Sequence, residues 1–313
     1  MVTGPEAPRV SVLMPVYNAE RSLIDAVVSI LEQTFSDFEF LILNDGSTDG
    51  SLGILQQFAE SDPRIRLFSR ENSGLVAALN EMLSHAQGEF IARMDADDVS
   101  EPTRFAAQLD LFAAEKTLVC VGTHVLLIDT DGRPIGVLES PTTHEEIDAS
   151  HLIGHCSICH PTAMFQRSAL IRVGGYRSDR YPTEDHDVYL GLAEFGRLAN
   201  VPEPLLRYRI HDRSISAKNQ ELQRRSAELA CRDAWERRGL SGMVFEADAP
   251  WRASSSRESR LEFALQYGWM AFNNQNRETA LHFGWRAVVL APWSRKAWTL
   301  VACALLKLRR HPQ

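Results

Sequence analysis

At 313 residues, with 44% hydrophobic and 24% charged side chains, the chain can bury one large core, or one core plus a smaller appendage. Its formal charge of −8 argues against a protein that coats nucleic acid, because contact with a phosphate backbone requires a basic face. The five cysteines, odd in number and irregularly spaced, suit a reducing compartment better than a disulfide scaffold. The N-terminus lacks the basic flank and apolar core of a secretory leader, and its apolar run is interrupted by Pro15. No stretch reaches the roughly 18 to 20 apolar residues of a membrane-spanning helix. The expected location is the cytoplasm, with peripheral attachment to the inner face of the cell membrane as a variant.

"VSVLMPVY" is a short β-rich run, and 21–33 then places Leu23, Ala26, Val27, Ile30 and Leu31 on one helical face. "FEFLILN" (38–44) repeats the strand signal, and 50–59 carries Leu52, Leu55 and Phe58 at helical spacing. "IRLFS" (65–69) opens a third unit, which continues as a helix over 75–83 behind Ser73-Gly74. "EFIARM" (89–94) predicts a fourth strand, and 102–112 a fourth helix with Pro102 in its first turn. Apolar strands alternating with amphipathic helices imply an α/β fold whose parallel sheet is covered on both faces.

In such sheets ligands bind beyond the carboxyl ends of the strands. Strand one ends in Pro15, Val16, Tyr17 and Asn18, strand two in "NDGSTDGS" led by Asp45, and strand four in Asp95-Ala96-Asp97-Asp98. Three loops therefore converge on one crevice. Crowded carboxylates repel unless a cation joins them or their pKa values rise, and Mg²⁺ or Mn²⁺ takes carboxylate oxygens, water and substrate phosphate as ligands. The simpler alternative is that Asp97 or Asp98 caps the following helix. "HCSICH" (155–160) spells the C-x-x-C-H of haem attachment and half of a zinc site. It reads better as packing at a loop-to-strand junction, and Cys120 and Cys303 read as small core residues.

The segments "VSVLMPVYNAE", "LILNDGSTDGS", "RENSGLVAALN", "GEFIARMDADD", "HPTAMFQRSAL" and "YPTEDHDVYLGLAEFG" together resemble the family 2 glycosyltransferases, inverting enzymes with the GT-A nucleotide-diphospho-sugar fold. The match runs in order from about Val10 to His211. The resemblance implies a mixed, mostly parallel sheet with helices on both faces. It also implies a nucleotide-diphospho-sugar donor, expected to be a UDP-sugar, and transfer to a glycan or lipid-linked hydroxyl in polysaccharide biosynthesis.

Carried over by residue, the resemblance puts Pro15, Val16, Tyr17 and Asn18 around the base and ribose, with Tyr17 flanking the pyrimidine. Asp45 would accept a hydrogen bond from the base imino group. Asp95 and Ala96 would lie at the ribose and diphosphate. Asp97 would be the principal metal ligand, Asp95 assisting. Two side chains two apart in an extended segment point the same way and can address one ion, which leaves Asp98 as a cap or a supporting residue. Asp185 of the T-E-D block would be the general base, with Glu184 placing it or the acceptor and Thr183 nearby. First-turn acids also oppose a helix dipole, so a purely structural role is the alternative. His160 opens a block leading under the acceptor site. Arg207 and Arg209 on an alternating strand (205–216) are candidates to neutralise the pyrophosphate, and His211 to complete the metal shell.

Residues 1–216 are thus expected to form the catalytic domain, with a nucleotide half to about 125 and an acceptor half beyond it. Residues 217–313 are expected to form a helical extension, with a charged helix over 219–240, a linker over 249–259 and two or three aromatic-rich helices after it. Those helices are candidates for a cap on the catalytic domain, a homodimer contact or a peripheral membrane anchor. Two rivals share the fold. A sugar nucleotidyltransferase is disfavoured because no glycine-rich, basic triphosphate loop follows strand one. An inactive sugar-binding or scaffold module is disfavoured by the intact Asp45, Asp95, Asp97 and Asp185.

Overall fold

The structure is a computed structural model that describes residues 7–210, 220–247 and 256–306. Its first half is the alternation expected: β1 (Val10–Val16), α1 (Leu23–Leu31), β2 (Phe38–Asp45), α2 (Ser51–Ser61), β3 (Ile65–Arg70), α3 (Leu75–His85) and β4 (Phe90–Arg93). β1 pairs in parallel with β2 and β4, and β2 with β3. All eight residues of β2 are buried, as a strand covered on both faces requires.

The chain continues through β5 (Val99–Ser100), α4 (Arg104–Ala114), β6 (Leu118–Ile128), β7 (Pro134–Leu138), α5 (His144–Leu152), β8 (Met164–Gln166), α6 (Arg167–Arg172), α7 (Glu184–Leu192) and β9 (Arg197–Arg209). The sheet runs β3-β2-β1-β4-β8-β6-β9-β5, with β7 paired to β6. Antiparallel pairings take over where β8 joins β4 and β6, and β5 joins β9. α4 starts two residues later than Pro102 suggests, with Thr103 at its N-cap. The Pro102 carbonyl instead accepts from the Thr34 amide at 2.8 Å. β9 begins well before the expected position 205, since its exposed Pro202-Glu203-Pro204 interrupts the alternation a sequence reading relies on.

Four helices complete the described chain: α8 (Gln220–Arg238), α9 (Arg257–Asn273), α10 (Arg277–Leu290) and α11 (Arg295–Leu306). The chain forms two compact units, and they do not divide at residue 216. The first comprises 1–125, 139–207 and 222–247, the second 126–138, 208–221 and 248–313. α8 joins the first unit because Ala230, Cys231 and Ala234 pack with Leu152 and Leu190, while Trp235 Nε1 donates to the Leu152 carbonyl at 2.9 Å. A larger core in the same unit gathers Leu13, Leu41, Leu79, Ile91, Phe165 and Tyr189. In the second unit, Phe263, Tyr267 and Phe283 bring their rings within 4.4 to 6.3 Å of one another between the helices. The helices approach closely there, for a Cβ on Gly268 would lie 2.4 Å from Leu300 Cδ2.

Candidate active site

The crevice starts where β1 loses a neighbour. Its pairing with β4 ends at Leu13 opposite Arg93, but its pairing with β2 continues to Val16 opposite Asn44. Pro15, which has no N–H to give, sits in the stretch where one edge of β1 is open. Val16 is buried, whereas Tyr17 is 55% exposed, so its ring is available to a ligand and is not part of the core. Asn18 adopts a left-handed φ of 52°, which Asn tolerates better than most residues. From there it clamps the neighbouring loop: its Oδ1 accepts from the Thr48 amide at 2.8 Å, and its own amide donates to Ser47 Oγ at 3.1 Å. Glu20 adds a second tie by accepting from the Gly50 amide at 2.7 Å.

Asp45 is buried, and its carboxylate organises the loop before α3. Oδ1 accepts from Arg70 Nε at 2.9 Å and from the Ser73 amide at 3.0 Å, while Oδ2 accepts from the Gly74 amide at 2.8 Å. A carboxylate has about four lone-pair sites, so Asp45 retains room for one further donor. Gly46 follows at φ 73°, where a Cβ would stand 2.6 Å from the Asn72 backbone nitrogen. Only glycine fits that turn without moving main chain.

Asp95, Asp97 and Asp98 offer carboxylate oxygens all within 4.8 Å of one another. Asp95 and Asp97 are half-buried and Asp98 is fully buried. Ala96 is buried between them, its carbonyl accepting from Ser22 Oγ at 3.1 Å. The sequence reading missed what lies beneath. Arg93 is 2% exposed and forms an ion pair with Asp95. Arg104, wholly buried, donates to the Pro161 carbonyl at 2.6 Å and to the Arg93 carbonyl at 3.2 Å. Burial is the larger influence on Arg104 and pulls it down to about 9, with Asp98 opposing. Burial also works against the charge on Arg93, but Asp95, with help from Asp98, holds it above the usual guanidinium range. Asp98 therefore faces two cations and does not cap α4. The signals available were an arginine inside an otherwise apolar strand and another in the first turn of the next helix.

The same cation reaches the T-E-D block. Glu184 is 4% exposed and its Oε2 is buried without a hydrogen-bond partner, while Asp185 beside it is half-buried. Burial raises both carboxyls above the ordinary range, and for Glu184 the charge of Asp185 adds to it. Arg93 opposes the rise in both, and Asp95 reinforces it, so the two acidic segments share one electrostatic field. Asp185 Oδ1 accepts from the His186 amide at 2.8 Å, which fixes the carboxylate and favours its ionised form. Thr183 is turned inward, its Oγ1 donating to the Arg180 carbonyl at 3.1 Å. Asp187 lies apart from the pair, 3.6 Å from Arg177.

The remaining candidates among the described residues each hold other contacts. His160 is buried, its Nε2 lies 3.0 Å from the Tyr176 hydroxyl, and burial pushes it well below the ordinary histidine value. Neutral and enclosed, it is built into the wall. Arg207 stands opposite Val99 in the sheet, just past the acidic loop, and pairs with Glu101 at 2.7 Å. Arg209 donates to the carbonyls of Asp129 and Thr130, at 3.3 and 3.2 Å. His211 lies outside the described residues. Neither Cys156 nor Cys159 is in a disulfide among the described residues, and Cys156 Sγ donates to the Ile158 carbonyl at 3.4 Å.

Replacing Arg93 by methionine should lower stability to urea by about 1 to 3 kcal/mol, because half-buried Asp95 and buried Asp98 lose a cation. It should also move the acidic limb of activity to higher pH, since Arg93 restrains the pKa values of both Glu184 and Asp185. An unchanged denaturation midpoint would count against the charge network.

A carboxylate-only donor set at these spacings suits a hard divalent cation, which Asp97 and Asp95 would hold. Residues 11–174 match the model of Glycosyl transferase family 2. The chain is 38% identical over 219 residues to EpsE of Bacillus subtilis, itself assigned as a glycosyltransferase, covering 68% of this chain and 76% of that one. It is 34% identical over 209 residues to the O-antigen biosynthesis glycosyltransferase WbnJ of Escherichia coli, covering 66% and 81%. It spans only 24 to 33% of the length of the chondroitin and hyaluronan synthases that it also matches. Among solved structures, the fold resembles the mannosyltransferase PcManGT of Pyrobaculum calidifontis, determined in complex with GDP-Man and Mn²⁺. The TM-score is 0.55 at 20% identity, over 98% of this chain and 82% of that one. With its GT-A fold and the family model matched across more than half its length, the chain belongs to the family 2 glycosyltransferases.

Proposed function

We propose that the protein transfers a sugar, with inversion, from a nucleotide-diphospho-sugar to a hydroxyl of a growing glycan or lipid-linked acceptor in polysaccharide biosynthesis. The observation that carries this reading is the shared field of two acidic segments: Asp95 to Asp98 at the end of β4, and Glu184 with Asp185 at the start of α7, with Arg93 acting on both. The likeness to WbnJ supports the polysaccharide context.

The donor base lies against Tyr17, and the remaining acceptor site of Asp45 takes an imino N–H, which uracil supplies and cytosine and adenine do not; the expected nucleotide is UDP. Asp97 and Asp95 would hold a divalent cation, Mg²⁺ or Mn²⁺, whose charge would stabilise the departing diphosphate. Asp185 removes the acceptor proton as the acceptor oxygen bonds to the anomeric carbon from the opposite face, and the electron pair of the breaking glycosyl C–O bond leaves on the diphosphate. Glu184, whose carboxyl burial raises above the ordinary range, helps to place the base or the acceptor. The enzyme works on the cytoplasmic side.

A panel of UDP- and GDP-sugars, each tested for thermal stabilisation and slow hydrolysis with and without Mn²⁺, tests the reading. Stabilisation by a UDP-sugar that Mn²⁺ strengthens, together with hydrolysis, is expected. A preference for GDP-sugars would overturn the assignment of the base pocket, and no response to any donor would overturn the enzyme reading.

A further inference from the structure

We propose that the C-terminal helical unit docks on the surface of a bilayer containing anionic phospholipid. This goes beyond the donor chemistry and does not depend on it. Residues 256–313 carry nine lysines and arginines against three glutamates and no aspartate, a net +6, while the rest of the chain carries −14. The same segment holds four of the six tryptophans. Such a division of charge within one chain marks a surface meant for an anionic partner.

The aromatic side chains lie where an interface would need them. The turn between α10 and α11 carries Trp293, 82% exposed. On the flanking helices, Trp285 and Trp298 meet edge to face at 5.8 Å, each about half exposed. Val289, one helical turn after Trp285, is 76% exposed. Trp298 Nε1 donates to the Pro292 carbonyl at 2.7 Å, so that indole reaches outward with its polar group already satisfied. Beside this face lies a cleft of about 470 Å³ with Trp285, Val289 and Leu290 as apolar wall, Arg260 and Arg286 as cationic rim, and His282, which burial holds below the ordinary histidine value, between them. Asp129 and Asp131 face His282 and Arg286 from the adjoining cavity, so Arg260 and the exposed side of Arg286 are the guanidiniums set over the apolar floor, as at the boundary between acyl chains and phosphate headgroups. Arg295 and Lys296, both exposed, follow directly after the Trp293 turn.

A second copy of the chain is the poorer occupant, because it would bring the same positive segment against itself. No helix among the described residues is long and apolar enough to cross a membrane, so the contact is one of lying in the interface.

Flotation of the full chain, without donor, on vesicles of mixed phosphatidylcholine and phosphatidylglycerol tests the proposal. Binding that high salt weakens and that pure phosphatidylcholine vesicles largely lose is expected. Trp293→Ala should reduce the bound fraction by about tenfold, the scale of withdrawing one large apolar side chain from the interface. The double change Arg260→Glu, Arg286→Glu should do so to a similar or greater degree. Trp293 is so exposed that its loss leaves the fold intact, which an unchanged melting curve verifies. Absence of binding to the anionic vesicles, or binding indifferent to Trp293, would overturn the proposal. So would a solution dimer by light scattering that Trp293→Ala dissociates.

Discussion

Asp185→Asn should cut sugar transfer by about 10²- to 10⁴-fold, the usual worth of a positioned general base, and leave donor affinity nearly unchanged. Asparagine keeps the acceptor oxygen that meets the His186 amide and loses only the ability to take a proton. The wild-type pH profile carries the same signature. Burial raises the Asp185 carboxyl, and the base must be ionised, so turnover should climb with pH through a value above the ordinary carboxylate range and then level off. The asparagine variant should lack that limb. Calorimetry with the nucleotide-sugar beside a transfer assay separates the two quantities. Lost donor binding, or retained turnover, would remove Asp185 from the role.

Asp97→Ala should act on the other side of the bond being broken. Metal stabilisation of a departing diphosphate supplies several kcal/mol, so turnover should fall by about a thousandfold and the gain in donor affinity on adding Mn²⁺ should disappear. Because Asp97 is only half-buried, its removal should leave the melting temperature close to wild type. Titration of the variant with donor, with and without Mn²⁺, provides the check. Metal-dependent binding that survives would shift the ligand role to Asp95 or Asp98.

The sequence disclosed those parts of the site that recur as pattern. Fully apolar strands alternating with amphipathic helices announced the parallel half of the sheet, and the ends of β1, β2 and β4 fell where the loop residues suggested. The second half was harder to read. β8 has only three residues and β5 two, too few for a period to emerge, and β9 contains prolines that a strand pattern disfavours. Side-chain direction was illegible as well. Thr183 and Tyr17 differ little as candidates on paper, yet one donates inward to Arg180 and the other stands in the open. Asp45, expected to meet the base, organises its own loop in the structure. Arg93 and Arg104 were overlooked because buried cations give no periodic signal, and their partners come from distant positions.

Those two arginines change what the acidic loop requires. Three aspartates crowd the end of β4, but two guanidiniums stand directly behind them. The chain's own residues thereby offset most of the loop's charge, so the loop should fold without an ion, and a melting curve unchanged by chelator would show it. Chelation should silence the enzyme without softening it. A dication entering such a half-compensated nest would tip the local balance to positive and give a diphosphate an attractive seat that neither partner would offer alone.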